Sequence, residues 1–545
     1  MSDSVPTESL SSHQSSPLRH LSWAVGVASL GAVLFSYNSG ILDLHYDGVA
    51  RLNIARRVLD HPVPHYSHLG TVWLPLQHLL LLPWVQNDFL WSTGLAGTII
   101  SVLAFWAACY CLYGLSLLTH GSQWAGVLSV AAFALNPNIL YLQSTPLGEM
   151  LYIALFLAAL LALVKLCDQV TVGSALTCGG CVLLASLTRY DGWVLAPLGA
   201  ALVSTVTICD KRLGRESAFA ITVFTFIASS GIAGWFVYNQ AAFNDPLAFL
   251  RGEYATERNI GRIVKESGLY MYPPRGNMLK ALNYYVEAAR LGAGDILLIA
   301  GTLGFCTVLW WRSWKQPALW SAILCFLVPP VFYIINMVRG SGIIFVPSLP
   351  PHGILNVRYT ALFIPGLCLF LPGIVTTLVY TFRLVGGLNW LSGVTGAKSG
   401  VGAVLAILFS SAVWQALQGM NGVAFVREAY VNGFERKQTD YQAAAFLRSH
   451  YDGERILMDL GQHGIIPQRA RIPLNHLVNE ATAWESALAR PSAFVGWIVQ
   501  QEGDGVWRFP VNKEDLDQKF ERVFEVTSTL EKPLRVYRKR PSQDP

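Results

Sequence analysis

Charge is scarce in this chain. Asp, Glu, Lys and Arg make up 13% of its 545 residues, about half the share of an ordinary soluble protein. Neither sign dominates: 39 basic side chains face 34 acidic ones, a net charge of +5. That balance lacks the broad basic face of a nucleic-acid binder, and no nucleic-acid partner is expected. Cysteines number nine, all in apolar stretches, so a disulfide framework is not expected. Cys178-Gly-Gly-Cys181 has zinc-like spacing but no second Cys or His pair, and small residues packing between helices are the plainer reading. No Gly-rich phosphate loop occurs in the C-terminal region. The first apolar run, 21–42, lacks an A-x-A-like cleavage site and is too long for a signal-peptide core, which predicts a retained first span.

What is present is apolar length. Crossing a bilayer takes about twenty apolar residues, and the sequence predicts about eleven spans, near 21–42, 89–118, 123–142, 148–167, 173–188, 191–209, 218–240, 294–312, 317–336, 357–382 and 400–418. Residues 1–20 are polar and Ser-rich and read as a disordered cytoplasmic tail. With that tail inside, the inner loops hold Lys165, then Lys211, Arg212 and Arg215, then Arg312 and Lys315, then Arg383 and Lys398. Short basic loops on one side follow the positive-inside rule. The outer loops are then 43–88, 143–148, 189–191, 241–293 and 337–356.

The charges gather at the end. Residues 420–545 hold 34 of the 73 charged side chains, leaving 39 for the first 419. Two bodies follow: a membrane domain, 21–419, and a soluble domain, 420–545, on the same outer side as loop 43–88. Alternating patterns in the soluble part, with a helix at 440–451, strands at 455–460 and 492–501, and a terminal hairpin, predict a small α/β layer domain. The fold class expected is a polytopic α-helical membrane protein with interfacial helices in the first and fourth outer loops. In the first loop, Val49, Leu52, Ala55 and Leu59 have helical spacing with Arg51, Arg56 and Arg57 between them, which suits an amphipathic helix on the membrane surface. GTVWLPLQHLLLLPWV (70–85), short and broken by Pro75 and Pro83, reads as a re-entrant or interfacial segment.

Several charged groups at the outer ends of spans admit two readings each. Asp47 either caps the helix that follows or acts as a general base at the lipid–water boundary. Asp43 ends the first span, caps, or serves the same site. Glu149 is an interfacial residue or a second carboxylate of one cavity. Arg189 and Asp191 pair to mark a turn, or meet a phosphate and orient its ligand. Arg358, followed by Tyr359, snorkels or clamps a phosphate. His65, His68, His78 and His352 lack paired spacing and read as ordinary interfacial residues.

DGVARLNIARRVLD, GTVWLPLQHLLLLP, LTRYDGW, NDPLAFLRGEY and NVRYTALFIPG, in this order over residues 20–420, resemble the polytopic GT-C glycosyltransferases, more distantly the protein O-mannosyltransferases and the aminoarabinose transferases of lipid A. The resemblance implies transfer of a sugar from a polyprenyl-phosphate donor to a glycan, lipid or protein acceptor on the non-cytoplasmic face. It implies Asp47 as base and Glu149 as a second acidic position that binds acceptor or a cation. Arg189 and Arg358 would stabilise the leaving phosphate. Asp43, Arg51, His68, Asp191, Arg251 and Tyr359 are the remaining candidates for substrate contact. A nucleotide leaving group is not involved, so a divalent cation is not required. Tyr46-Asp47-Gly48 stands where these relatives show Gly-Asp-Ala, and the Asp-Glu pair of the O-mannosyltransferases is absent, which argues against protein mannosylation and leaves Asp43 as an alternative base. The expected setting is a bacterial inner or plasma membrane. The rival readings are a transporter or lipid permease and a non-catalytic scaffold.

Overall fold

The computed structural model describes residues 16–252, 256–311, 316–384, 394–479, 483–509 and 511–541. Most of the predicted tail, residues 1–15, lies outside these, as do Arg312 and Lys315.

All eleven predicted spans contain apolar helix. Among the described residues six helices are long and apolar enough to cross a membrane: Arg19–Asn38, Leu95–His120, Glu149–Asp168, Tyr190–Cys209, Arg215–Phe243 and Pro317–Arg339. A seventh candidate is a pair, Met278–Ala293 and Asp295–Trp310, bent by 113°. The predicted spans at 123–142, 173–188, 357–382 and 400–418 contain shorter apolar helices. Local chemistry explains the breaks. The run at 89–118 splits at Gly94, whose positive φ of 80° ends one helix and starts the next. The run at 123–142 splits at Asn136-Pro137, where the Asn136 side chain accepts the N–H groups of Asn138 and Ile139.

The two faces of the membrane body are set by one helix. Glu149 begins it, and at its other end Arg212 donates to the carbonyls of Asp168 (2.8 Å) and Cys167 (2.9 Å). Twenty residues of helix separate these ends by about 30 Å, so Glu149 and Arg212 sit far apart.

The C-terminal layer is a five-stranded sheet of order β2-β1-β3-β5-β4, built from β1 (Ile456–Leu457), β2 (Leu477–Val478), β3 (Trp497–Gln501), β4 (Phe520–Val526) and β5 (Leu534–Lys539). β1 runs parallel to both neighbours, while β3, β5 and β4 are antiparallel, the last two forming the predicted hairpin. The short β2 has no periodic signature of its own. The segment before the layer, helix Ala424–Ala429 and a π-helical turn Tyr430–Phe434, packs on the membrane body; Phe425 N donates to Asn138 Oδ1 at 2.9 Å.

The layer sits on the first outer loop. Tyr46 Oη donates to Gly461 O (2.6 Å), Asn53 Nδ2 to Gly464 O (2.8 Å) and Arg471 Nε to Ser92 Oγ (3.1 Å). Asp60 accepts the backbone N–H of Leu474 at 3.0 Å. The helix Tyr46–Arg57 is therefore covered on both sides. Val49, Leu52 and Ala55 are buried as predicted, but so are Arg51 and Arg56, while Leu59 is exposed. Arg56 stacks on Trp91 at 4.0 Å and pairs with Asp60 and Asp88. Covering an arginine in this way requires a stacking or ionic partner, and each buried arginine has at least one.

Candidate active site

The first interhelical loop, the start of helix Glu149–Asp168, the turns at 189–191 and Val357–Leu362, and the segment after the last apolar helix bring their charges to one place. Arg358, in the 3₁₀ turn Val357–Leu362, is the hub. Its Nε donates to Glu149 Oε1 at 3.0 Å, one Nη donates to Glu428 Oε1 at 2.6 Å, and the other pairs with Asp47 Oδ2. The ring of His45 touches the same guanidinium. Arg189 continues the network. It pairs with Glu149 (3.3 Å) and Asp191 (3.3 Å) and donates to Tyr333 Oη at 2.5 Å. Tyr333 Oη in turn donates to Asp191 Oδ2 at 3.3 Å. Tyr359 stacks on Tyr333 with ring centroids 5.1 Å apart and lies 5.3 Å from the guanidinium carbon of Arg189 and of Arg358.

The loop chemistry that places Asp47 is local. His45, in extended conformation, caps the helix Tyr46–Arg57 through its ring, which accepts the N–H of Asp47 at 3.4 Å. Capping thus falls to His45 and not to Asp47, whose side chain is released toward Arg358. Its position in the first turn also favours the charged form. Burial pushes the Asp47 carboxyl up, but Arg358, His45 and Arg51 outweigh it and hold it below the usual carboxylate range.

Exposure separates the four carboxylates. The side chains of Glu149, Asp191 and Glu428 are 3%, 3% and 0% exposed, whereas that of Asp47 is 34% exposed. One carboxylate of the cluster therefore reaches the surrounding space and three are internal. Arg51 is different again. It is 7% exposed, lies over the Trp73 ring at 4.5 Å, and its Nε has no hydrogen-bond partner. Among the described residues it makes no ion pair, although Glu149 and Asp47 are the anions it faces. Gly148 leaves it room: a Cβ there would meet Gln77 Oε1 at 2.5 Å and the Arg51 guanidinium carbon at 3.6 Å.

The other candidates lie elsewhere. Asp43 is buried and held by Arg469 and by Gln468 (3.2 Å), so it ties the C-terminal layer to the end of the first span. Burial, only partly offset by Arg469, pushes its carboxyl up. His68 donates to or accepts from no group of the cluster; its Nε2 meets Val63 O at 2.9 Å and its ring lies 3.9 Å from that of His61. Arg251 is two-thirds exposed and pairs with Asp245 at 3.6 Å. Among the described residues no group of three or more His, Cys, Asp or Glu side chains is arranged to hold a metal ion.

Besides Tyr333, which lies inside an apolar helix, two members of the cluster carried no sequence signal that set them apart. His45 lay in the shadow of Asp47. Glu428 reads as the first acid of a charged soluble domain, yet it is buried and accepts the backbone N–H groups of Asn356 (2.9 Å) and Arg358 (3.0 Å) besides the guanidinium. Burial pushes its carboxyl up, but Arg358 and His45 pull it below the ordinary value.

No protein-family model matches this chain, and no curated protein matches it in sequence. Solved structures do. ArnT from Cupriavidus metallidurans bound to undecaprenyl phosphate aligns over 94% of this chain and 98% of its own, at 12% identity and a TM-score of 0.54. The apo state of the same protein aligns over 95% and 98%, at 13% identity and a TM-score of 0.50. The chain thus has the fold of ArnT, as its loop motifs led one to expect.

Proposed function

We propose that this protein is a membrane glycosyltransferase that takes a sugar from a polyprenyl-phosphate donor on the non-cytoplasmic face, with Asp47 as general base. The observation that carries this reading is the single half-open carboxylate at the rim of an otherwise internal charge cluster. Asp47, ionised because its carboxyl sits below the usual range, takes the proton of an acceptor hydroxyl as that oxygen bonds to the sugar C1. The bond from C1 to the phosphate oxygen breaks, and the phosphate leaves with the electron pair.

The leaving phosphate needs a cation. Arg358 and Arg189 are engaged by carboxylates, and Arg51 is the buried guanidinium of this site without one. It is the primary phosphate contact in this reading, with Arg358 able to follow once Asp47 is protonated. Glu149, internal and shared by two arginines, keeps those arginines in place. The fold neighbour solved with undecaprenyl phosphate supports a lipid-phosphate donor, and the soluble layer over the first outer loop supports a site facing the side opposite the basic loops.

The test is transfer in liposomes from a panel of polyprenyl-phosphate sugars, read by mass spectrometry. Asp47→Asn should lower turnover by about 10²–10⁴-fold. Near-normal turnover in a well-folded variant removes Asp47 from the role, and flux of an unchanged substrate across sealed vesicles would point to a permease instead.

A further inference from the structure

Asp47 poses a chemical problem for the reading above, on which this inference rests. A base bound only to an arginine is ionised but weak, because the ion pair resists protonation. Arg358 could in principle turn its whole charge on Asp47. Its three nitrogens are instead divided: Nε to Glu149, one Nη to Glu428, the other to Asp47.

Glu428 is built for that division. It is fully buried, with both carboxylate oxygens in use. Oε1 accepts from the guanidinium at 2.6 Å and from Asn356 N at 2.9 Å, and Oε2 accepts from Arg358 N at 3.0 Å. It therefore grips both the backbone and the side chain of the same arginine. Its carrier helix is anchored in turn: Phe425 N donates to Asn138 Oδ1, and Asn432 Nδ2 bridges Ile354 O (2.8 Å) and Glu428 O (3.0 Å). Gly433 rests directly on Leu44 and His45, where a Cβ would come within 1.6 Å of Leu44 O. The segment after the last span is thus packed against the residue that caps the Asp47 helix.

We propose that Glu428 is a positioning residue: by holding one edge of the Arg358 guanidinium it limits the hold of Arg358 on Asp47 and sets how readily Asp47 accepts a proton. The groups that face Asp47 are Arg358, His45, Arg51 and Glu149. Glu428 touches two of these, the Arg358 guanidinium at 2.6 Å and the His45 ring at 3.4 Å, and its stronger grip is on Arg358. Neutralising it leaves Arg358 two carboxylates instead of three, and Asp47 becomes harder to protonate. Loss of a merely structural contact would do the reverse, since a loosened Arg358 frees Asp47.

A lipid-soluble carbodiimide reads this directly, because it reacts with the protonated carboxyl. The full chain in lipid nanodiscs is labelled at pH 5, and modification of the Asp47 peptide is followed by mass spectrometry. In Glu428→Gln the Asp47 rate should fall about tenfold, the change for one pH unit of proton affinity. Glu428→Asp, which keeps the charge but draws the carboxylate back by one methylene, should slow it by a smaller factor, and it decides the matter if the Gln variant does not fold. An unchanged or faster rate overturns the proposal. Labelling that is unchanged while Asp47→Asn is inactive removes only the role of Glu428. Slowed labelling while Asp47→Asn turns over normally removes the base and leaves the coupling standing.

Discussion

Raising the pH should loosen the C-terminal layer through one buried ring. His463 is fully buried; its Nδ1 lies 2.7 Å from Asp440 Oδ1 and its Nε2 lies 3.3 Å from Asp504 Oδ2. Both partners are carboxylates, so both ring nitrogens donate and the ring is the imidazolium. Burial alone would push its pKa down, but Asp440 and Asp504 outweigh burial and raise it to about 9, with Lys437 a minor opposing charge. Asp504 also accepts the N–H groups of Gln501 and Trp507, both at 2.7 Å, and Asp459 accepts Gln462 N and Gly505 N. The ring thus ties helix Gln438–His450 to the turn after β3, across the segment 459–464 whose carbonyls grip Tyr46 and Asn53.

The magnitude follows from linkage. The ordinary value is 6.5 and the folded value about 9; at about 1.4 kcal/mol per unit the difference is roughly 3 kcal/mol. A raised pKa means the folded state binds the proton more tightly. The contribution is present in full below about pH 6.5, falls as pH rises, and is gone above about pH 9. For a layer of this size roughly 3 kcal/mol corresponds to about 10 °C in thermal midpoint. The assay is tryptophan fluorescence of the full chain in detergent, melted at pH 6 and pH 10, beside His463→Gln. Wild type should lose about 10 °C between those values beyond any loss in the variant. Equal pH slopes in the two proteins would refute the imidazolium assignment.

Three further outcomes are expected. Arg469→Met strands the buried Asp43 carboxylate and should cost about 3–5 kcal/mol, read as a lower thermal midpoint, with Asp43→Asn in the same chain restoring part of it. Gly433→Ala forces a Cβ against Leu44 O and should cost about 1–3 kcal/mol or more, seen as a reduced monodisperse peak in fluorescence-detected size exclusion. Arg51→Met removes the guanidinium that lies over Trp73 and leaves an apolar side chain in its place; binding of undecaprenyl phosphate, followed by native mass spectrometry, should weaken about 10–100-fold, while the thermal midpoint holds.

Apolar length is a local property, and so the many-helix membrane body and the small sheet near the C-terminus were legible in the sequence. Breaks inside the spans were less so, because Gly94 and Asn136-Pro137 interrupt runs whose average composition stays apolar. The site was legible where a charge stood out against an apolar background: Asp47, Glu149, Arg189, Asp191 and Arg358 all sit at span ends, and the structure brings them together. His68 and Arg251 have the right chemistry in outer loops, yet loop position says nothing about convergence, and both lie outside the cluster. Asp43 and Asp47, four residues apart, look interchangeable in sequence; only the partners that arrive from far along the chain, Arg469 for one and Arg358 for the other, tell them apart.

Glu428 shows why the remainder was hidden. Its neighbourhood, VAFVREAY, carries the charge density of a soluble domain, and a single acid there has no contrast. What makes it part of the site is a cost. Burying a carboxylate in a protein interior is unfavourable by several kcal/mol unless cations and hydrogen bonds repay it, and Glu428 is repaid by Arg358, by two backbone N–H groups and by the His45 ring. The same account holds in reverse for Arg358, which is tolerable at 4% exposure only because three carboxylates from separate stretches of chain reach it. Each of these charges is affordable only when the others are present, so membrane body, first loop and post-span segment must assemble together. A domain boundary drawn by composition at residue 420 cuts through that set of mutual requirements, and residues 424–434 belong by energy, though not by composition, to the membrane body.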